Sequence, residues 1–242
     1  MILGPGPFKA KDLPSKSQYE LDDGHAVLCL PTLGRGGSAQ SLGARVIGTD
    51  PAVQHSGVEV GFQLAEGTLR APDVAVMATA PDDGWAQGAP PLAIEYADRG
   101  QDEVELQRKI EQFLQGGTRA VWVVRLGRIR QVEVNTRGPQ GQVVRVIAQA
   151  HDTLTLPGVL QNPVPVAALF DADQADVATL RNLLDRFGYV HPDQARQEGR
   201  EEGREEGARA MVLSVLRARG VAAPEALVAG MDREGLIRLL AE

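Results

Sequence analysis

From residue 19 to about residue 170, short apolar runs alternate with turns rich in glycine and proline, a rhythm that predicts a strand-rich core. Candidate strands are 26–30, 58–64, 73–78, 92–97, 120–125, 129–135 and 143–148. Two helices fit between them, a short one near 38–46 and a clearer one over 103–115. The second is well punctuated. Asp102 can cap it with Glu105 three residues on, Leu106, Ile110, Phe113 and Leu114 make one apolar stripe, and Gly116-Gly117 supplies a stop. The next run, 120–124, is apolar throughout and suits a strand buried on both faces. Strand, helix, strand in that order implies a mixed sheet with a crossover helix, hence an α/β core.

Beyond Asp171 the character changes. Val177, Leu180, Leu183, Leu184 and Phe187 form an amphipathic stripe ending at Gly188. Pro192 then opens QARQEGREEGREEGAR, a repeat of period four. At ~100° per residue this period winds slowly, so it writes a basic row (Arg196, Arg200, Arg204), acidic rows and a glycine row (Gly199, Gly203, Gly207). Three glycines cost roughly 1 kcal/mol each relative to alanine, so the helix is weak alone. Either a partner helix lies along the glycine row, or the segment is a solvated linker. The expected organisation is an arm over 1–17, a core over 18–170 and a helical extension over 171–242, with one or two short helices in the tail.

Composition narrows the class. No apolar run approaches the ~20 residues that span a bilayer, and the proline-broken N-terminus does not read as a signal peptide. Cys29 is the single cysteine, which excludes an internal disulfide and a cysteine-built zinc cage. A cytoplasmic chain without membrane association is the expectation. The net charge of −7 argues against coating nucleic acid by bulk electrostatics. A local basic island nevertheless stands out, with Arg119, Arg125, Arg128, Arg130, Arg137 and Arg145 against Glu133 alone. It is either a phosphate-contacting surface or a solvated β-surface that uses arginine.

The candidate chemistry centres on Asp73 and Glu95. If their strands form a hairpin about Gly84, residue 73 falls opposite residue 95 and both carboxylates share a face. Like charges so placed need something positive between them, and hard oxygen donors favour magnesium or manganese. Alternatively, both are strand-end acids splayed toward water. Lys109 lies roughly 85° from the centre of its helix's apolar stripe, where its stem can follow the sheet and its ammonium reach the strand ends. Ordinary snorkelling is the alternative there. His25, His55, His151 and His191 lack metal-ligand spacing, and Gly34–Gly37 lacks the lysine of a phosphate-binding loop. Trp85 could stack on a base or close a small cluster.

Residues RAPDVAV (70–76), PPLAIEYA (90–97) and the spaced set Lys109, Phe113, Gly117 and Trp122 resemble the Uma-type restriction endonucleases, a bacterial branch of the PD-(D/E)XK nuclease superfamily. YELDDG (19–24) resembles that family's opening motif and LTLPGVLQNPVPVAALF (154–170) its closing one. The resemblance covers about residues 18–170. It implies a restriction-endonuclease-like mixed sheet flanked by helices and a Mg²⁺ or Mn²⁺ site at Asp73 and Glu95, with Glu20 completing it in some members. It also implies that Lys109 takes the lysine role, since Ala97 stands where the strict pattern has lysine. A histidine common at the start of the first long helix has no counterpart here.

The expected activity is metal-dependent hydrolysis of DNA by Asp73, Glu95 and Lys109. Arg125, Arg128 and Arg130 would contact phosphates, and the C-terminal helices would pair two copies. The rival expectation is a nuclease-fold module that binds nucleic acid or a partner protein without turnover.

Overall fold

The computed structural model describes residues 6–14, 17–98, 100 and 102–241. The chain divides into two compact units, Met1–Arg186 and Phe187–Glu242.

The first unit begins with a hairpin of β1 (Tyr19–Asp22) and β2 (His25–Leu28), turned by Asp23 and Gly24 at positive φ. Helix α1 (Gly34–Gly48) follows, then β3 (His55–Val58), β4 (Phe62–Ala65), β5 (Thr68–Arg70) and β6 (Val74–Met77). Next come β7 (Ala86–Gln87), β8 (Leu92–Ala97), α2 (Glu103–Gly116) and β9 (Ala120–Arg125). The unit closes with β10 (Gln131–Arg137), β11 (Val143–Gln149), β12 (Thr153–Leu154), β13 (Val164–Pro165) and α3 (Ala172–Phe187).

A six-stranded sheet in the order β11-β10-β9-β8-β6-β3 carries the fold. Its one parallel pair, β8 with β9, is joined by α2, the expected crossover. The expected hairpin register is also found: β6 pairs β8 antiparallel with Val74 opposite Ile94 and Ala75 opposite Ala93, so Asp73 comes opposite Glu95. Alternation then sorts the residues of β8. Leu92, Ile94 and Tyr96 join Trp122 and Val124 of β9 against Ala39, Val46 and Ile47 of α1. Ala93 and Ala97 join Val121 and Val123 against Leu106, Ile110, Phe113 and Leu114 of α2. Burying each large side chain of α2 contributes about 1.5–3 kcal/mol, which fixes the helix over that face. Asp102 accepts from the backbone N–H of Val104 and Glu105, and Gly117 ends the helix at φ 110°.

A smaller sheet, ordered β2-β1-β5-β4-β7, stands beside the first. The expected single strand 58–64 is split between the two sheets. Glu59 turns the chain at φ 52°, and Gly61 meets the Trp85 ring so closely that a Cβ would come within 2.6 Å of it. Trp85 closes a small cluster with Ala10, Leu13, Leu21 and Leu69, and its indole donates to the Ala10 carbonyl at 3.2 Å. Part of the expected arm is therefore built in. Residues 1–5, 15 and 16 of that arm lie outside the described residues.

Helix α3 departs from expectation in two ways. It belongs to the first unit, because Ala175 and Ala178 enter the main core and buried Asn182 donates to the Val46 carbonyl. Three of its large apolar residues face outward, Val177, Leu180 and Phe187 being 66%, 51% and 69% exposed, while Leu183 and Leu184 are half-buried. The small residues allow close approach to the core, and part of the stripe of larger ones is left on the surface.

The second unit contains α4 (Pro192–Ala218), α5 (Pro224–Val228) and α6 (Arg233–Ala241). Val212, Leu216, Val228 and Leu236 make its core. The charged repeat is helical, and space is open around all three glycines of its row. Among the described residues, no helix is long and apolar enough to cross a membrane.

Candidate active site

Arg70, Ala71, Pro72 and Asp73 link the small sheet to the large one and bring the site together. Asp73 Oδ2 accepts from the Tyr96 backbone N–H at 2.6 Å, and Gln40 of α1 donates to the Asp73 carbonyl at 3.0 Å. Glu95 shares its strand face with Ala93 and Ala97, beneath α2. Lys109 reaches down from α2: its Nζ is 2.9 Å from Glu95 Oε1, 3.0 Å from Glu20 Oε1 and 2.7 Å from the Ala71 carbonyl. The three expected residues thus converge, and the lysine is turned inward.

Glu20 stands beside this group with its charge already matched. Its Oε1 accepts from the Ala71 N–H at 3.1 Å, and its Oε2 is 3.1 Å from Arg70 Nη1. Among the described residues, no three acidic, histidine or cysteine side chains converge as a metal cage. Of the expected Asp73–Glu95–Glu20 ligand set, Glu20 is held by both Arg70 and Lys109, and Glu95 by Lys109.

The electrostatics separate the acids. Burial pushes the Glu95 carboxyl up to about 8, with Lys109 opposing and Asp73 and Glu20 reinforcing the rise. Burial also raises Asp73, against the pull of Lys109 and the Tyr96 N–H. Burial would raise Glu20 too, but Lys109 and Arg70 outweigh it and lower the carboxyl below its ordinary value. Burial would lower Lys109, but Glu20, Glu95 and Asp73 more than reverse this, so it stays charged.

The Asp73 and Glu95 carboxylates are hard donors of the kind a divalent cation takes. Apart from its ion pair with Lys109, the buried Glu95 Oε1 has no well-directed hydrogen bond. The donors are hard carboxylate oxygens, and magnesium usually takes only one or two carboxylates while keeping several waters.

Sequence reasoning missed Arg70. Its side chain is fully buried, with Nη1 2.6 Å from Glu105 Oε1, Nε donating to Gln112 at 2.6 Å, and Nη2 3.5 Å from Asp22. Glu105, expected to close the helix cap, turns to this arginine instead. The one available signal was a charge ending the otherwise uncharged strand Thr68–Arg70.

The basic island is largely occupied within the fold. Arg125 bonds Glu103 at 2.5 Å and Glu133 at 2.8 Å, Arg119 donates to the Pro157 carbonyl, and Arg145 donates to Asn135 and Gln107. Arg128 and Arg130 are exposed at the turn between β9 and β10, with Arg130 5.4 Å above the Phe170 ring.

A family model described as "Uma2: Putative restriction endonuclease" matches residues 8–167. The chain belongs to the Uma2 family. No curated protein matches it. A solved structure described as "a putative nuclease belonging to DUF820 from Anabaena variabilis ATCC 29413" is similar in fold, with a TM-score of 0.57 at 17% identity. The match covers 70% of this chain and 99% of that one. The restriction-endonuclease-like fold expected from the motifs therefore holds for this Uma2 member. Within the matched span lie Glu20, Arg70, Asp73, Glu95 and Lys109.

Proposed function

We propose that this Uma2 member is a cytoplasmic endonuclease that hydrolyses DNA phosphodiester bonds with a divalent metal ion. One observation carries the reading: the Lys109 ammonium stands 2.9 Å from buried Glu95, whose strand pairs with the one that Asp73 begins. Asp73 and Glu95 would hold Mg²⁺ or Mn²⁺. Bound there, the ion supplies Lewis-acid polarisation of the phosphate and lowers the pKa of water.

The protein's own groups do the rest. Lys109 keeps a fixed positive charge beside the carboxylates, where it orients the attacking water and offsets charge on the phosphate. The Tyr96 N–H holds Asp73 in one orientation. Arg128 and Arg130 are the proposed phosphate contacts, while Arg125, tied to Glu103 and Glu133, steadies the base of their turn. Two copies joined through the C-terminal helices would present a site to each strand of a duplex.

The rival reading, a binding module without turnover, draws on one feature. Glu20, Glu95 and the Ala71 carbonyl already occupy all three directions of the Lys109 ammonium. Supercoiled plasmid with Mg²⁺ or Mn²⁺ separates the two. Nicking that chelator, Asp73→Ala and Lys109→Ala each abolish supports the enzyme. Plasmid binding without nicking, indifferent to chelator, supports the module.

A further inference from the structure

A fully buried arginine must have a reason to be charged in the interior. Arg70 contacts acids of the small sheet and of α2 at once, beside the direct pair between Glu20 and Lys109. Its Nη1 touches both Glu20 Oε2 at 3.1 Å and Glu105 Oε1 at 2.6 Å. Glu20 divides its two oxygens, one for Arg70 and the other for Lys109 and the Ala71 N–H. Glu105 lies one turn before Lys109 on α2, so the same guanidinium grips the helix that delivers the lysine.

This arrangement has a directional consequence. An ammonium group offers three N–H donors, and Lys109 has three acceptors arranged around it: Glu20, Glu95 and the Ala71 carbonyl. If Glu20 turned freely, it could offer both oxygens to Lys109 and draw the ammonium away from Glu95. Arg70 claims one of those oxygens through a rigid planar fork and so fixes which is left. A purely structural ion-pair cluster would need Arg70, Asp22 and Glu105, but would not need Glu20 to be shared with the lysine.

We propose that Arg70 is a positioning residue, which sets the distance between the Lys109 ammonium and Glu95 by holding Glu20. The proposal rests on the nuclease reading for its kinetic consequence, but not for its geometric one. A misplacement of about 1 Å at a catalytic group costs up to about a hundredfold in rate. Arg70→Lys keeps a cation and loses the fork, and should lower kcat about tenfold or more with little change in KM.

The test runs in two arms on the full chain. In the first, plasmid nicking is measured for the wild type, Arg70→Lys, Lys109→Ala and the double variant. The expected result is that Arg70→Lys lowers kcat in the wild type but has no further effect where Lys109 is already gone. Equal losses in both backgrounds, or a change confined to KM, would overturn the proposal. In the second arm, acetylation of Lys109 by an N-hydroxysuccinimide ester is followed by peptide mass spectrometry, with exposed Lys9 as the internal standard. Labelling of Lys109 should rise several-fold in Arg70→Lys, and an unchanged rate overturns the positioning role. Should Arg70→Lys fail to fold by circular dichroism, Glu20→Gln takes its place in both arms with the same expectations. A wild type that never nicks, yet whose Lys109 labelling depends on Arg70, would sink the nuclease reading and leave the positioning intact. Where nicking is absent or Lys109→Ala has no residual rate, the labelling arm decides.

Discussion

The carboxylate of Asp73 accepts a 2.6 Å hydrogen bond from the backbone N–H of Tyr96, the residue that follows Glu95. That bond gives Asp73 two separable jobs, one in holding strand ends together and one in holding a cation. Asp73→Asn keeps an acceptor for the Tyr96 N–H, whereas Asp73→Ala leaves a buried donor unpaired at a cost of about 1–3 kcal/mol. The asparagine variant should therefore melt close to the wild type without metal, and the alanine variant well below it. Both should lose the rise in Tm that Mn²⁺ gives the wild type. Thermal melts with and without Mn²⁺ check this, and a full metal response in Asp73→Asn would exclude Asp73 as a ligand.

Lys109 is the cation between two buried acids, so its removal should be felt in stability as well as in activity. Lys109→Met preserves the apolar stem and leaves Glu95 without its ion-pair partner. Breaking one side of a buried pair costs about 3–5 kcal/mol. Above pH 8, where Glu95 is ionised, urea unfolding of the metal-free variant should show a loss of that order, and added Mn²⁺ should return part of it by restoring positive charge. A variant as stable as the wild type would mean that the ammonium contributes nothing at this place.

The acid limb of stability should report on Glu20. Its folded carboxyl lies below the ordinary 4.5 because Lys109 and Arg70 overcome the effect of burial. The unfolded chain then binds the proton more readily, so this contribution is present above pH 4.5 and is lost as pH falls through the lowered folded value. Glu20→Gln should cost about 2 kcal/mol near neutrality. The gap between its Tm and that of the wild type should close on acidification below pH 4.5. A gap that stays constant from pH 7 to 3 would remove Glu20 from the set of charge-paired groups.

Much of this site could be read from the chain, and the boundary is physical. The register between Asp73 and Glu95 is the one that pairing about Gly84 predicts, and Val74 opposite Ile94 agrees with it, although the connecting segment carries β7 into the small sheet instead of turning directly. Lys109 was legible from its angle on a well-capped helix. Arg70 was not, because ion pairs to Glu20 and Glu105 join residues far apart in sequence and leave no periodic trace. The same reason hides the use of Arg125 and Arg145 inside the fold. On α3 the periodicity was real but its meaning inverted, since Ala175 and Ala178 pack inward while Val177 and Leu180 look out. Periodicity identifies a face; the space available beneath the helix decides whether small or large residues fill it.

Gly43 shows how closely α1 approaches the strand that carries Glu95. A Cβ at this position would lie 1.9 Å from the Tyr96 hydroxyl, which is buried and has no hydrogen-bond partner. Overpacking of this kind costs about 1–3 kcal/mol, because Tyr96 is enclosed by the core and has nowhere to turn. Gly43→Ala should lower Tm accordingly. Tyr96→Phe alone should cost little, since it removes an unsatisfied polar atom. Combined with Gly43→Ala it should recover part of the loss, and strict additivity of the two changes would refute the contact.

The glycine row of α4 allows a test in which stability and assembly move in opposite directions. Nothing lies within 4 Å of where a Cβ would stand at Gly199, Gly203 or Gly207, so alanine meets no obstacle within one chain. Each substitution should favour the helix by about 1 kcal/mol, and helicity by circular dichroism should rise in the triple variant. If two copies pair along this row, the added methyl groups hold the helices apart and weaken the pairing. Sedimentation equilibrium should then show the wild type as a dimer and the triple variant shifted toward monomer despite its stronger helix. A triple variant that is more helical and equally dimeric would move the contact to another face of α4. A wild type that sediments as a monomer at every concentration would leave each strand of a duplex to be cut by an independent encounter, and nicking would then rise linearly with protein concentration.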